Sequence, residues 1–243
     1  MSEEILTLEP KIPSRYESYK MFNRIAVRYD FLNHFLSAGQ DYRWRKKAVK
    51  LLKNVPNQKI LDLACGTGDI ALTALKHNPN VDFCIGIDPA IDMLAIGEEK
   101  NRERNLEGRF ELIQGDGAKI PIASNSLDAV LMAFGIRNVE NFEKCLLEMY
   151  RVLKPGGRVI ILEFSLPENF MIKILYLFYF RYILPHLGGF ISGDKSAYKY
   201  LNRTVETFSY GEAFCEKLEE VDFIHIHMSK LSFGISTIYV GDK

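Results

Sequence analysis

The stretch Lys59 to Asp69, KILDLACGTGD, admits few folds. Ile60, Leu61 and Leu63 make a short apolar run of strand character, Gly66 and Gly68 interrupt it one residue apart, and Ile70, Ala71, Leu72, Ala74 and Leu75 follow at helical spacing. The pattern predicts a strand, a tight turn and a helix. Glycine tolerates positive φ and lets backbone approach a ligand that a Cβ would hold away. The helix behind it offers unpaired N–H groups to that ligand. Such a unit is a cradle for a small molecule.

The same alternation continues down the chain. Val81 to Ile87 reads as a strand ending in Asp88-Pro89, with a helix over Ile91 to Arg104. Arg109 to Ile113 reads as a third strand, followed by the acidic loop Gly115-Asp116-Gly117. Within SLDAVLMAFGIRNV, Ala129 to Phe134 has the unbroken apolar character of a strand buried on both faces. A helix is expected over Glu140 to Leu153, stopped by Lys154-Pro155-Gly156-Gly157, and Val159 to Phe164 is the fifth strand. Strands alternating with helices define an α/β fold with a doubly wound, Rossmann-like parallel sheet, which binds ligands at the carboxyl ends of its strands. Gly66, Asp88, Asp116, Gly135 and Glu163 all fall at such ends. Asp88 follows Gly68 by about 20 residues, the separation that brings an acidic strand end to a ribose. A carboxylate accepts from both vicinal hydroxyls there, although the same residue could instead cap the Ile91 helix.

The flanks differ. Residues 1–18 lack periodicity and read as a loose arm, whereas Tyr19 to Leu52 is helical and is expected to cap the cradle. Inside that cap, YDFLNHFLSAGQDYRW carries Asp30, Asn33, Ser37 and Gly39, which break the apolar rhythm as a helix cap or turn would. Toward the C-terminus, Phe170 to His186 is aromatic-rich and too short and interrupted for a membrane span. It fits a core helix, a lid over a substrate pocket, or an interfacial helix. Loops are expected at Gly188-Gly189 and Ser192-Gly193-Asp194, a helix over Tyr210 to Glu220, and a hairpin of Phe223 to Leu231 with Ile235 to Val240. His225 and His227 alternate onto one strand face, but no third ligand stands at metal spacing, so no metal is expected. With 31 basic and 31 acidic residues, no bulk charge points to nucleic acid. Four separated cysteines without a CxxC pair, and an acidic N-terminus unlike a signal peptide, fit the cytoplasm.

GTGDIA, residues 66–71, satisfies the loose dinucleotide pattern, but Asp62 inside the first strand and the C-terminal hairpin tell against a nicotinamide enzyme. LDLACGTGD, Asp88, Asp116 and the hairpin together resemble the class I methyltransferases that use S-adenosylmethionine. That resemblance implies a mostly parallel seven-stranded sheet with an antiparallel last strand. Two further stretches narrow it. RVLKPGGRVIILEFS, residues 151–165, is similar to the second signature of the quinone C-methyltransferases of menaquinone and ubiquinone synthesis. YDFLNHFLSAGQDYRW resembles their first signature, with Leu32 where methionine is usual and Asp41 where histidine is usual. The resemblance runs from Tyr19 to the C-terminus and implies one methyltransferase domain, 19–243, with a helical cap at 19–52 and a substrate lid at 166–208.

Carried onto this chain, the resemblance implies that Asp62 and the Gly66-Thr67-Gly68 turn hold the methionine part of S-adenosylmethionine. Asp88 would hold the ribose, Asp116 and Gly117 would flank the adenine, and Ala133 would line the site. The implied reaction is C-methylation of a polyprenylated quinol, demethylmenaquinol in the first place, with a polyprenyl methoxybenzoquinol as the alternative. A ring carbon becomes nucleophilic when the neighbouring hydroxyl loses its proton, so fixed positive charge is wanted beside that oxygen. Arg137 in FGIRN is the candidate, with Asn138 orienting the oxygen, and Tyr29, Asp30 or a water between Tyr29 and Asn138 taking the proton. Residues 170–185 would then wall the isoprenoid tail and rest against the inner face of the membrane. The oligomeric state stays open, a homodimer included. A non-catalytic cofactor-binding subunit is a further alternative, weakened by Gly66, Gly68, Asp88 and Arg137 all being present.

Overall fold

A computed structural model describes Ser14, Arg15, residues 17–186 and residues 195–243. Seven strands form one sheet: β1 (Gln58–Leu63), β2 (Val81–Asp88), β3 (Phe110–Gln114), β4 (Leu127–Ala133), β5 (Leu153–Phe164), β6 (Ile224–Leu231) and β7 (Ser236–Asp242). Their order is β3-β2-β1-β4-β5-β7-β6. Strands β1 to β5 pair in parallel, and β7 runs antiparallel to both β5 and β6. The register sets Leu63 beside Ile87 and Asp88 beside Gln114, so the carboxyl ends of the central strands lie level. Ligand-facing residues collect along that edge.

The helices described are α1 (Ser18–Leu36), α2 (Gln40–Val49), α3 (Asp69–His77), α4 (Ile91–Glu103), α5 (Phe142–Val152), α6 (Phe170–Phe178), α7 (Lys195–Thr207) and α8 (Glu212–Glu219). Helix α5 shows why such segments fold where they do. Cys145, Leu146, Met149 and Val152 form one buried stripe, and Asn141 Oδ1 accepts from the Lys144 N–H to cap the first turn. Apolar clusters cover both faces of the sheet, one with α5 and α8, the other with α2 and α3. Burial of each leucine-sized side chain there contributes about 2 kcal/mol. A third cluster lies beyond the sheet edge and joins α1 to α7 and the segment after α6 through Leu32, Phe180, Leu184, Tyr198 and Tyr200.

Several sequence expectations shift. Ser18 opens helix α1 rather than closing an arm, and residues 1–13 and 16 lie outside the described residues. Asp30 and Asn33 sit within α1, and the break falls at Ser37 to Gly39, where Gly39 takes φ +70°. Lys154 to Gly157 end α5 but also belong to β5. Leu153 pairs with Leu127 and Arg158 with Ala129, so the breakers form a bulge within the strand. Both His225 and His227 are exposed, and a register shift with His225 at φ +50° ends their regular alternation. The core-helix reading of 170–186 does not hold for α6, none of whose residues is buried; Phe180 and Leu184, in the π turn and the residues after it, are. The loops expected at 188–194 lie outside the described residues.

Candidate active site

The turn after β1 is tight because three residues adopt left-handed backbone in quick succession: Ala64 (φ 53°), Gly66 (φ 55°) and Gly68 (φ 80°). A Cβ on Gly68 would come within 2.9 Å of the Phe110 ring, and one on Gly66 within 3.2 Å of Met93 Cε. The conformation and the space both call for glycine. Asp88 closes the turn from β2, with Oδ2 accepting from Gly66 N–H and Oδ1 from Ala90 N–H, each at 2.8 Å. The carboxylate thus fixes the chain ahead of α4, as the capping alternative expects, and also lines the cavity. Burial pushes its pKa up to about 6, against the pull of those two amides.

A cavity opens above this turn, lined by Gly66, Asp88, Asp116, Gly117, Ala133 and Asn138 from the sheet edge. Helix α1 supplies the opposite wall through Ser18, Tyr19, Phe22 and Tyr29. Among the candidate cofactor residues, Asp62, Thr67 and Gly68 are not on its surface. Asp62 is fully buried beneath the turn, where it accepts from Ala71 N–H at 3.2 Å and burial drives its carboxyl well above the usual range. Thr67 turns its hydroxyl away, donating to Asp30 Oδ1 at 2.7 Å and accepting from Lys100 Nζ at 2.8 Å.

Lys100, on α4, is the node of that outer network. Its ammonium also reaches Asp30 Oδ2 at 2.6 Å and Asp69 Oδ1 at 2.7 Å, joining α1, the glycine turn and the start of α3. Arg45 extends the network to Asp41 and, at 3.6 Å, to Asp69, while His34 Nδ1 meets Asp41 Oδ2 at 2.5 Å. Burial raises the Asp69 carboxyl, but Arg45 and Lys100 outweigh it and hold the group below its ordinary pKa. Asp30, a candidate proton acceptor, is therefore held in this network, with both of its oxygens engaged.

A second cavity lies behind the first, and Phe22, Tyr29 and Phe134 line both. Its walls are mostly apolar, including Leu32, Trp44, Phe164 and Phe180. Phe134 takes φ +59° and stacks on Phe164 with centroids 4.5 Å apart. A bulky residue in that region is strained, and such strain persists where the surroundings fix it. Here its carbonyl accepts from Arg137 Nη1 at 2.6 Å and from Asn138 Nδ2 at 3.3 Å. The 3-10 turn Ile136–Asn138 sends its last two side chains apart, Arg137 lining the apolar cavity and Asn138 the glycine-floored one. Arg137 Nη1 also donates to Glu163 Oε1 at 2.6 Å. Burial pushes the Glu163 carboxyl up while Arg137 and the Phe164 amide pull against it. Burial likewise raises the Tyr29 phenol above its ordinary value, and a hydrogen bond from Asn33 and the Arg137 charge oppose it.

Glu163 stands at a strand end already legible in the sequence, whereas Ser18, Tyr19, Phe22 and Lys100 are not marked there as site residues. Only the helical spacing of Ser18, Phe22 and Tyr29 carried a signal for them.

A glycine turn, an acid at the end of the next strand, an antiparallel β7 and twin cavities sharing a wall define a class I methyltransferase, whose methyl donor is S-adenosylmethionine. The residues present fit that donor: Asp88 can accept from a vicinal diol, Asp116 and Gly117 line the same cavity, and Gly66 bares its backbone. The chain belongs to the ubiE/COQ5 methyltransferase family, whose pattern it matches over residues 13–243. It is 44% identical over 223 residues to the demethylmenaquinone methyltransferase of Thermus thermophilus, covering 92% of this chain and 100% of that one. It is 38% identical over 241 residues to the enzyme of the same name from Porphyromonas gingivalis, covering 99% and 98%. A ubiquinone/menaquinone biosynthesis C-methyltransferase, UbiE, of Geotalea daltonii is 45% identical, covering 92% and 95%. Among solved structures, a SAM-dependent methyltransferase of Thermotoga maritima, described as a possible histamine N-methyltransferase, superposes with a TM-score of 0.65 at 23% identity over 93% of this chain and 99% of that one, a likeness of fold.

Proposed function

We propose that the protein methylates a ring carbon of a polyprenylated quinol, demethylmenaquinol first among them. The observation that carries the reading is the apolar cavity behind the donor site, with the buried guanidinium of Arg137 on its wall. A flat apolar ring suits the Trp44, Phe134 and Phe164 cluster, and the fixed charge of Arg137 suits an oxygen that becomes phenolate-like. Bound S-adenosylmethionine supplies an electrophilic methyl on a sulfonium. Transfer of that methyl to the ring carbon would release a neutral thioether, and loss of the ring C–H proton would restore aromaticity. Arg137 favours loss of the hydroxyl proton that starts this sequence. Asn138 Oδ1, buried and without a partner among the described residues, would orient a water between it and Tyr29 that takes this proton. Tyr29, on the wall shared by the two cavities, would stand between ring and donor, and the Asp30, Thr67 and Lys100 network holds α1 over the donor site. Helices α6 and α7, the described helices of segment 166–208, serve as the lid.

The tail and the membrane belong to the same reading. Helix α1 exposes Val27 (91%), Phe31 and Phe35 on one stripe, and α6 exposes Phe170 (72%), Ile174 and Phe178 on another. Tyr179 Oη donates to Leu36 O at 3.1 Å and ties the two helices near the cavity they both line. Among the described residues no helix is long and apolar enough to cross a membrane. The two stripes are suited to lying on a bilayer surface, from which a polyprenyl tail would enter between them.

Purified protein with labelled S-adenosylmethionine, offered demethylmenaquinol and the methoxybenzoquinol separately, tests the reaction by mass and position of the new methyl. Methylation of neither quinol would refute it. Arg137→Ala is expected to cut turnover at least about 100-fold, with donor affinity changed less than about threefold; unchanged turnover would remove Arg137 from the mechanism.

A further inference from the structure

We infer that Tyr176, on α6, donates its hydroxyl to the quinol oxygen held beside Arg137, as a second catalytic donor supplied by the lid. The inference rests on the quinol reading above. Tyr176 lines the apolar cavity, and its hydroxyl is buried without a hydrogen-bond partner among the described residues. Arg137 Nε, on the wall of the same cavity, is in the same condition. Buried polar groups are nearly always paired, because an unpaired one loses its hydration with nothing in return. Two such groups on one cavity wall are not accidental burial.

Their chemistry says what is missing. A guanidinium N–H only donates, and Tyr176 keeps its proton because burial pushes its phenol far above the working range, although the nearby Arg137 charge pulls the other way. The absent group is therefore an acceptor, and beside a guanidinium the best acceptor carries negative charge. Glu163 does not fill the role, since Oε1 already takes Arg137 Nη1 and the Phe164 N–H at 2.7 Å. A ring oxygen losing its proton does. The Tyr176 ring is itself held by stacking on Phe180, with centroids 5.1 Å apart, and Phe180 is buried. The donor is thus positioned before substrate arrives, and only while α6 is seated.

Tyr176→Phe is the test, because it removes one unpaired oxygen and leaves the packing. The melting temperature of the ligand-free protein is expected to hold or rise by up to about 4 °C. The kcat/KM for demethylmenaquinol should fall about 10–100-fold, with the calorimetric Kd for S-adenosylmethionine within about twofold of wild type. A quinol methylated on the oxygen adjacent to the acceptor carbon supplies the second arm. Its binding should be weakened relative to the free quinol in wild type, and much less so in Tyr176→Phe. Equal kcat/KM in the two proteins, or equal discrimination against the ether, overturns the role of Tyr176 while leaving the quinol reading intact. A wild type that methylates no quinol brings down that reading instead.

Discussion

Replacing Lys100 by methionine would test the outer network at its node. The ammonium makes contacts of 2.6 Å to Asp30, 2.7 Å to Asp69 and 2.8 Å to Thr67. Charge-assisted bonds of this kind contribute about 1.5–3 kcal/mol when one partner is removed, and breaking a fully buried pair costs about 3–5. Here the side chains of Lys100, Asp30 and Asp69 keep 17%, 23% and 18% exposure, so solvent screening reduces the sum. We expect a loss of about 2–3 kcal/mol, or about 4–12 °C in melting temperature for a domain of this size. The loss has a pH signature. Asp69 is held below its ordinary pKa, so its contribution is present above the unfolded value near 4 and disappears as pH falls through the folded one. The gap between wild type and Lys100→Met should narrow below about pH 4.

The functional consequence separates two roles for Asp30. Ser18, Tyr19, Phe22 and Tyr29 reach the donor cavity from α1, which Lys100 holds through Asp30. Loosening α1 by about 1.4 kcal/mol would raise the donor Kd tenfold, with kcat at saturation within about threefold of wild type. Asp30→Asn should behave the same way, and the double variant should show coupling of at least about 1 kcal/mol in thermal melts. A melting shift under about 1 °C, or strict additivity, would reduce the network to surface ion pairing. Collapse of kcat in Asp30→Asn alone would restore the carboxylate as the proton acceptor.

Two further outcomes follow from the geometry. Asp88, raised by burial to about 6, would gain donors from a bound ribose, so binding would favour its ionised form and donor Kd should worsen up to tenfold per unit as pH falls below about 6; a flat calorimetric profile from pH 7.5 to 5 would take Asp88 off the ribose. Phe31→Ser with Phe178→Ser, both on exposed stripes, should reduce cosedimentation with phospholipid vesicles at least about tenfold and leave the melting temperature within about 2 °C, and undiminished vesicle binding would place the membrane face elsewhere.

What could be read in the sequence was local, and the rest of the site shows why. Gly66 and Gly68 announce themselves because positive φ is a property of one residue, and Asp88 because β2 fixes its distance from them. Thr67 carries no such mark. Its side-chain direction is decided by Asp30 and Lys100, each more than thirty residues away, so a turn motif identified its backbone and said nothing of its hydroxyl. The Lys154 to Gly157 breakers marked the end of the helix but not their place in β5, since proline and glycine end a helix and make a strand bulge by the same backbone preferences, and only pairing with β4 reveals the bulge. FGIRN is the sharpest case. As five consecutive letters it reads as one site, yet a 3-10 turn advances about 120° per residue, so Arg137 and Asn138 must diverge. One faces the apolar cavity and the other the glycine-floored one, with Phe134 as the wall whose carbonyl both of them hold. The motif is therefore the partition between two cavities, and any substitution at Phe134 that relaxes its left-handed backbone would disturb both chambers through that shared carbonyl.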